Sequence, residues 1–481
     1  MRTWTGLAAL FALTFWLGSC ATNPATGAHE ISLVSASQEA QMGAEEDKNV
    51  AASLGYYEDP ALQTYVTQVG QKLAAVTEEP NLGWHFHVVD SPEVNAFAVP
   101  GGYIYVTRGI LAVVNNEAQL AGVMGHEEGH VTARHTAQQI TRSQIASIGL
   151  GVGSILSSDI RQMAGIASSG LQLLFLKFSR GNETQADELG VRYTSRANWD
   201  PREIPATYQA LSRLQAKSGS AVPNFLSTHP DPGNREETTR ALAQQAIAGK
   251  DVKTLRVGTA EYKAHLQGLV YGDDPRQGYF ENGVFYHPGL KFQVSFPSGW
   301  KTQNTKSAVL AANSDNSAAI QLSVVATQNT SSPQAYVQLL QQKGVQVTGG
   351  EATRVNGWPA WIGTVSTQNS DGTTSSLALA VVQRESGSYY QFLGAPTSLG
   401  NTFVSTVQSF HDLTDASKLN RQPNRIRLVT VSRSGETVQS VAQGVSGLAV
   451  SVDDVAFLNN LQVTSPVPQG FQLKVVTRGA P

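Results

Sequence analysis

His126 and His130 stand four residues apart in the run His126-Glu127-Glu128-Gly129-His130. On a helix that spacing stacks two imidazoles on one face, where both can be offered to a single ion. Glu127 lies between them, placed as a general base on the water that such an ion activates by lowering its pKa toward neutrality. Two donors alone would be weak, and catalytic zinc takes three protein ligands plus a water, so a third group must come from elsewhere in the chain. An acidic residue on a second helix meets that need, and Glu183 stands out in Ser179-Arg180-Gly181-Asn182-Glu183-Thr184-Gln185-Ala186-Asp187, with Asn182 as a cap. Asp187, one turn further along, could accept a hydrogen bond from a ligand imidazole and fix its tautomer. The chemistry implied is metal-assisted hydrolysis with one zinc ion per chain.

The elements that must position these groups follow from periodicity. Beyond Asn116, Leu120, Val123, Met124 and Val131 recur at helical spacing, predicting one long helix through the histidines to about Ile140. Gly125 and Gly129 are expected at its metal face, leaving room for ion and substrate. Before it, Phe86 and Val88, then Ile104 and Val106, alternate around the turn Val99-Pro100-Gly101-Gly102, which reads as a small sheet. Residues 145–178 are apolar and rich in Gly, Ala and Ser, but Asp159 and Arg161 interrupt them. They read as a buried helical hairpin rather than a membrane span, a membrane- or substrate-facing surface being the alternative. His85 and His87 alternate on one strand face and read as solvated, while His29, His265, His287 and His411 have no partner at ligand spacing.

His-Glu-x-Gly-His followed by Asn-Glu-x-x-Ala-Asp resembles the zinc metallopeptidases of the HtpX and BepA type, kin of the CAAX prenyl endopeptidase. The resemblance spans roughly Gln38 to Ile247 and implies a mainly helical, gluzincin-like fold. Asn95-Ala96-Phe97-Ala98-Val99-Pro100-Gly101-Gly102 is similar to that family's strand-turn-strand, which implies that Tyr103, Ile104, Tyr105 and Val106 form an edge strand on which an extended substrate could pair. Arg134-His135 matches the family's Arg-His; His135, off the ligand face, is expected to support a ligand rather than bind metal. The loop Ser227-Thr228-His229-Pro230-Asp231-Pro232-Gly233-Asn234-Arg235 also resembles a family element. It implies that His229 faces the zinc, filling its fourth position in a closed state or helping to hold an oxyanion, and that Arg235 braces the site or stabilises that oxyanion; a plain surface turn is the alternative.

The rest of the 481 residues divides by texture into a multidomain chain. Residues 1–20 read as a signal peptide: Arg2, the apolar stretch Gly6 to Leu17, then Leu17-Gly18-Ser19-Cys20, which resembles a lipobox. Cys20 would be lipidated, and as the only cysteine it excludes disulfides. Residues 21–36 read as a tether, 37–250 as the zinc metallopeptidase domain with its small sheet, and 251–282 as a linker. Residues 283–412 alternate as strands around a helix near Pro333 to Gln342, an α+β domain loosely similar to the PsbP/Mog-like kind. Residues 425–476 resemble a LysM module in the order strand, helix, helix, strand, with Thr437 as a cap. A formal charge of -3 and no basic block exclude nucleic acid as a partner.

The expected function is a zinc-dependent endopeptidase cutting unfolded or misassembled envelope proteins. The family and the lipid anchor suggest a periplasmic site, and Ala21 after the cysteine suggests the outer membrane. A cell-wall-tethered assembly factor or chaperone with a latent zinc site is the alternative. Peptidoglycan is a further partner through the C-terminal module, and hydrolysis of peptidoglycan ranks last.

Overall fold

The structure is a computed structural model that describes residues 20–147, 177–218, 229, 232–327, 330–368 and 374–479. Residues 1–19, within the stretch expected to be a signal peptide, almost all of the apolar 145–178 stretch and most of the loop around His229 lie outside the described residues.

A hairpin of β1 (Cys20–Thr22) and β2 (His29–Ile31) comes first, before α1 (Ala36–Ser53) and α2 (Pro60–Ala74). The stretch 21–36, read as a tether, is docked: Asn23 Nδ2 donates to Ala133 O at 3.2 Å, and Leu33 N donates to Thr141 Oγ1 at 3.1 Å. Ser35 and Asp59 cap the two helices, each side chain accepting from first-turn amides that have no helical partner.

Next come β3 (His85–Val89), β4 (Ala96–Val99) and β5 (Tyr103–Thr107), in the spatial order β3-β5-β4. Here the structure corrects the sequence reading. Tyr103, Ile104, Tyr105 and Val106 are in the middle of the sheet, with β3 parallel on one side and β4 antiparallel on the other. Both ladder sides of β5 are used, so no substrate can pair with it; β4 is an outer strand. Alternation places Phe86, Val88, Ile104 and Val106 in the main core and Phe97, Val99 and Tyr105 in a smaller cluster with Val50 of α1.

Helices α3 (Arg108–Val113), α4 (Glu117–Thr132), α5 (His135–Ser147), α6 (Arg180–Arg196), α7 (Ile204–Ser218) and α8 (Pro232–Ala246) complete this unit. The single helix expected to run to about Ile140 is two: Arg134 has a φ of 54°, and this left-handed residue breaks the chain between α4 and α5. An ion pair of Arg134 with Glu39 at 2.9 Å secures the bend.

Residues 251–282 pack on these helices. Helix α9 (Thr259–Leu266) buries Tyr262 and Leu266 in the main core, and Arg256 pairs with Glu117 at the start of α4. Two antiparallel sheets follow. One joins β6 (Tyr279–Glu281), β7 (Val284–His287), β8 (Phe292–Ser295) and the later β16 (His411–Asp412). The other has seven strands: β9 (Lys301–Asn304), β10 (Ala308–Ala312), β11 (Ala319–Ala326), β12 (Gln346–Val355), β13 (Trp358–Gln368), β14 (Thr374–Glu385) and β15 (Ser388–Ala395), ordered β12-β13-β14-β15-β11-β10-β9. Helix α10 (Pro333–Gln342) covers one face, and α11 (Gly400–Gln408) packs with β8 and β14. After the short α12 (Ala416–Leu419), the chain ends with β17 (Arg425–Thr430), α13 (Val438–Gln443), α14 (Val452–Leu458) and β18 (Gln472–Thr477), the two strands paired antiparallel. The whole is multidomain, with helices and several sheets.

Candidate metal centre

Helix α4 is buried along almost its whole length, capped by Asn116, whose side chain accepts from Gln119 N at 2.9 Å. It crosses α6 at close quarters. Gly125 and Gly129, expected to leave room at a metal face, instead face the α6 backbone: a Cβ on Gly125 would lie 3.2 Å from Gly190 O, and one on Gly129 3.2 Å from Ala186 O. This approach brings Glu183 and Asp187 of α6 beside His126 and His130. Ser179, not Asn182, caps α6; Asn182 is its partner at the third position of a capping box.

His126, His130, Glu183 and His229 form one buried cluster of possible metal donors. Four donors about 2.1 Å from a tetrahedral zinc stand roughly 3.4 Å from one another. Here His126 Nε2 lies 3.0 Å from His130 Nε2, 3.6 Å from Glu183 Oε2 and 3.4 Å from His229 Nδ1, while His130 Nε2 lies 3.7 Å from Glu183 Oε1. Three nitrogens and a carboxylate at these separations fit zinc in both chemistry and size.

The hydrogen bonds behind the donors aim them. His126 Nδ1 donates to Asp187 Oδ1 at 3.0 Å, which turns Nε2 toward the cluster. On the other ligand, Gln185 Oε1 accepts from His135 Nε2 at 2.9 Å, so His135 Nδ1 is left to accept from His130 Nδ1, also at 2.9 Å. His130 is thereby held as the tautomer that presents Nε2 to a metal. The left-handed Arg134 makes this possible by bringing His135 back over the helix end. Arg235 binds Asp187 through Nε at 2.9 Å and NH2 at 2.6 Å, pairs with Glu183 Oε2 through NH1 at 2.8 Å, and stacks over the Tyr208 ring. Tyr208 donates to Asp187 Oδ1 at 2.7 Å.

These neighbours set the charges. Burial and the Arg235 cation push the His126 imidazolium down, but its hydrogen bonds to Asp187 and Glu183 outweigh them and carry it up to about 9. Burial raises Glu183, yet His229, His126 and His130 hold it far below the usual carboxylate range. Asp187 shows the same balance and is brought down to about 2, chiefly by Arg235. Burial drives His135 down to about 4, in keeping with a neutral bridging ring.

Glu127 is buried beside the cluster; its Oε1 has no hydrogen-bond partner and lies 3.7 Å from His229 Nε2. Sequence reasoning missed Gln185, Tyr208 and Phe178, whose ring stacks on His130 at 4.1 Å. Gln185 lay within the quoted Glu183 run, yet nothing in the sequence paired it with His135.

Residues 60–243 match the model of peptidase family M48. A beta-barrel assembly-enhancing protease of Yersinia pestis is 32% identical over 231 residues, 46% of this chain and 47% of that protein. The mitochondrial metalloendopeptidase OMA1 of Schizosaccharomyces pombe is 35% identical over 174 residues, 36% of this chain and 50% of that one. The matched part thus spans about half the length of these curated relatives. A solved structure of cyanobacterial PsbP from Synechocystis sp. PCC 6803 is similar at a TM-score of 0.23 and 11% identity, covering 28% of this chain and 94% of that one. The stretch 60–243 that is similar to peptidase family M48 thus holds at its centre a cluster of donors that fits one zinc ion.

Proposed function

We propose that this chain is a zinc endopeptidase that hydrolyses peptide bonds of unfolded or misassembled envelope proteins. The observation that carries the reading is the four-donor cluster with the buried Glu127 Oε1, which makes no hydrogen bond, beside it. Zinc, when bound, polarises the scissile carbonyl and lowers the pKa of a water toward neutrality. Glu127 then takes the proton on its carboxylate and delivers it to the leaving amine. His126, His130 and Glu183 hold the ion, while Asp187 and His135 keep the two imidazoles in the right tautomers. Arg235 acts as a brace, since Asp187, Glu183 and Tyr208 take up its donors. His229 fills the fourth corner, so the described arrangement is a closed state, and His229 must turn away before a carbonyl can approach. The substrate aligns along the outer strand β4, which packs against α4, by backbone pairing.

Similarity to beta-barrel assembly-enhancing proteases supports an envelope substrate, and the lipobox-like run ending at Cys20 supports a lipid anchor facing the periplasm. No helix among the described residues is long and apolar enough to cross a membrane. The strand-helix-helix-strand order of 425–476 supports a LysM-like module and, through it, peptidoglycan contact; co-sedimentation with purified sacculi tests that. The closed corner at His229 also favours a second reading, a chaperone or assembly factor with a latent site.

One substitution separates the readings. Glu127→Gln should leave zinc content unchanged and lower cleavage of an unfolded polypeptide by about 10²–10⁴-fold. Undiminished cleavage would sink the catalytic assignment, and full support of envelope integrity by this variant would favour the chaperone.

A further inference from the structure

At the C-terminal end of α4 lies a cavity of about 220 Å³ that no step above uses. Its walls include His130 and Arg134, Glu39 of α1, Glu79 and Leu82 before β3, and Pro100 of the turn that ends β4. Drug-sized ligands take roughly 300–1,000 Å³, so the space suits one long side chain. A metal ligand forms one wall, and a chain laid along β4 leaves that strand at Pro100, beside the cavity.

The walls are firm where β4 ends. A Cβ on Gly43 would meet Pro100 O at 2.0 Å, and one on Gly101, whose φ is +83°, would meet Ala40 Cα at 2.9 Å. The turn is therefore seated directly on α1. The charges do not cancel. Arg134 is committed to Glu39, Nε to Oε2 at 3.0 Å, and to Val34 O at 2.9 Å. Glu79 has no hydrogen-bond or ion-pair partner for its carboxylate among the described residues, and burial raises it above its ordinary value. One negative charge is left over in a space that Leu82 and Pro100 also line.

We propose that this cavity receives a lysine or arginine side chain flanking the scissile bond, with the aliphatic stem against Leu82 and Pro100 and the cation at Glu79. The proposal rests on the peptidase reading of the metal centre. A long basic side chain matches both needs, since its stem buries apolar surface while its head requires an anion.

The test uses the full, zinc-loaded chain and peptides that differ at one position, carrying Lys, Arg, Met or Glu there, with the cut bond mapped by mass spectrometry. Lys and Arg peptides should show kcat/KM about tenfold above Met, and Glu should be poorest. Glu79→Gln should bring the Lys-to-Met ratio close to one, and Glu79→Lys should reverse the order of Lys and Glu. Glu79 is half-buried, so these variants should fold; circular dichroism and zinc content check that. Cleavage with no preference for a basic residue, or a preference unmoved by Glu79→Gln, overturns the subsite and leaves the peptidase standing. Parent protein no more active than Glu127→Gln overturns both.

Discussion

Asp187 makes contact with three groups at once: His126 Nδ1, the Arg235 guanidinium and the Tyr208 hydroxyl. Its charge therefore orients a ligand and also neutralises a buried cation. Asp187→Asn keeps the shape but weakens both links, and zinc affinity measured against a competing chelator should fall by about 10–100-fold. An unchanged affinity would show that Arg235 and the helix crossing alone orient His126. The ligand pair and its base were legible in the sequence because all three lie within one turn of one helix, where spacing dictates direction. Gln185 and Phe178 were not, because their relation to His130 depends on where α6 lies and on the sharp bend at Arg134.

Among the elements, the crossing of α4 and α6 decides the site. A Cβ on Gly190 would stand 2.9 Å from His126 N, so Gly190→Ala must push the two helices apart or tilt them. The helical backbone at that position tolerates alanine, which makes overpacking the cause of any loss, about 1–3 kcal/mol. We expect a lower denaturation midpoint together with weaker zinc binding, because Glu183 and Asp187 retreat from the histidines; a variant with lower stability but parental zinc affinity would show that the crossing can shift without moving the donors. The same scale explains the misassigned strand. Alternation identified β5 as a strand, but its neighbours are chosen by tertiary packing: β3 approaches it in parallel from one side, and the Pro100 turn returns it against β4 on the other. The break at Arg134 was hidden for a similar reason, since its left-handed backbone is sustained by Glu39, far away in sequence.

Over the whole molecule, the C-terminal unit is fastened to the helices of the metal centre's unit by buried lysines. Lys474 of β18 donates to Ala112 O at 2.7 Å and Val114 O at 2.8 Å, meeting carbonyls at the end of α3 just ahead of α4. Lys263 of α9 donates to Gln472 O at 2.6 Å. Burial pushes the Lys263 ammonium down to about 8, and burial together with Lys263 holds Lys474 well below its ordinary value. Between about pH 8 and the unfolded value of about 10.4, the folded chain has released protons that the unfolded chain still holds, so these lysines make stability rise with pH. Buried tyrosines such as Tyr65, Tyr105 and Tyr262, raised above their ordinary value, act the other way, so the lysines are read as a difference: the parent's denaturant midpoint should rise relative to that of a variant with both lysines replaced by Met between about pH 8 and about pH 10. An identical slope in the variant would mean that neither lysine carries a lowered pKa.

The sequence by itself determined the parts whose geometry is local: the His126, Glu127, His130 and Glu183, Asp187 spacings, the alternation of the strands, and the strand-helix-helix-strand order of the last unit. Helical and extended periodicities are properties of the chain over a few residues, so they survive without knowledge of the fold. Tertiary structure brought His229, which the family resemblance had only implied, to 3.4 Å from His126 Nε2, put β4 rather than Tyr103 to Val106 at the edge of the sheet, and packed residues expected as tether and linker on the neighbouring helices. Each of these depends on contacts between segments distant in sequence, where shape and burial, not spacing, choose the partner. It also showed why Gly125 and Gly129 are small: they admit the backbone of α6, and through it the acid that the metal requires.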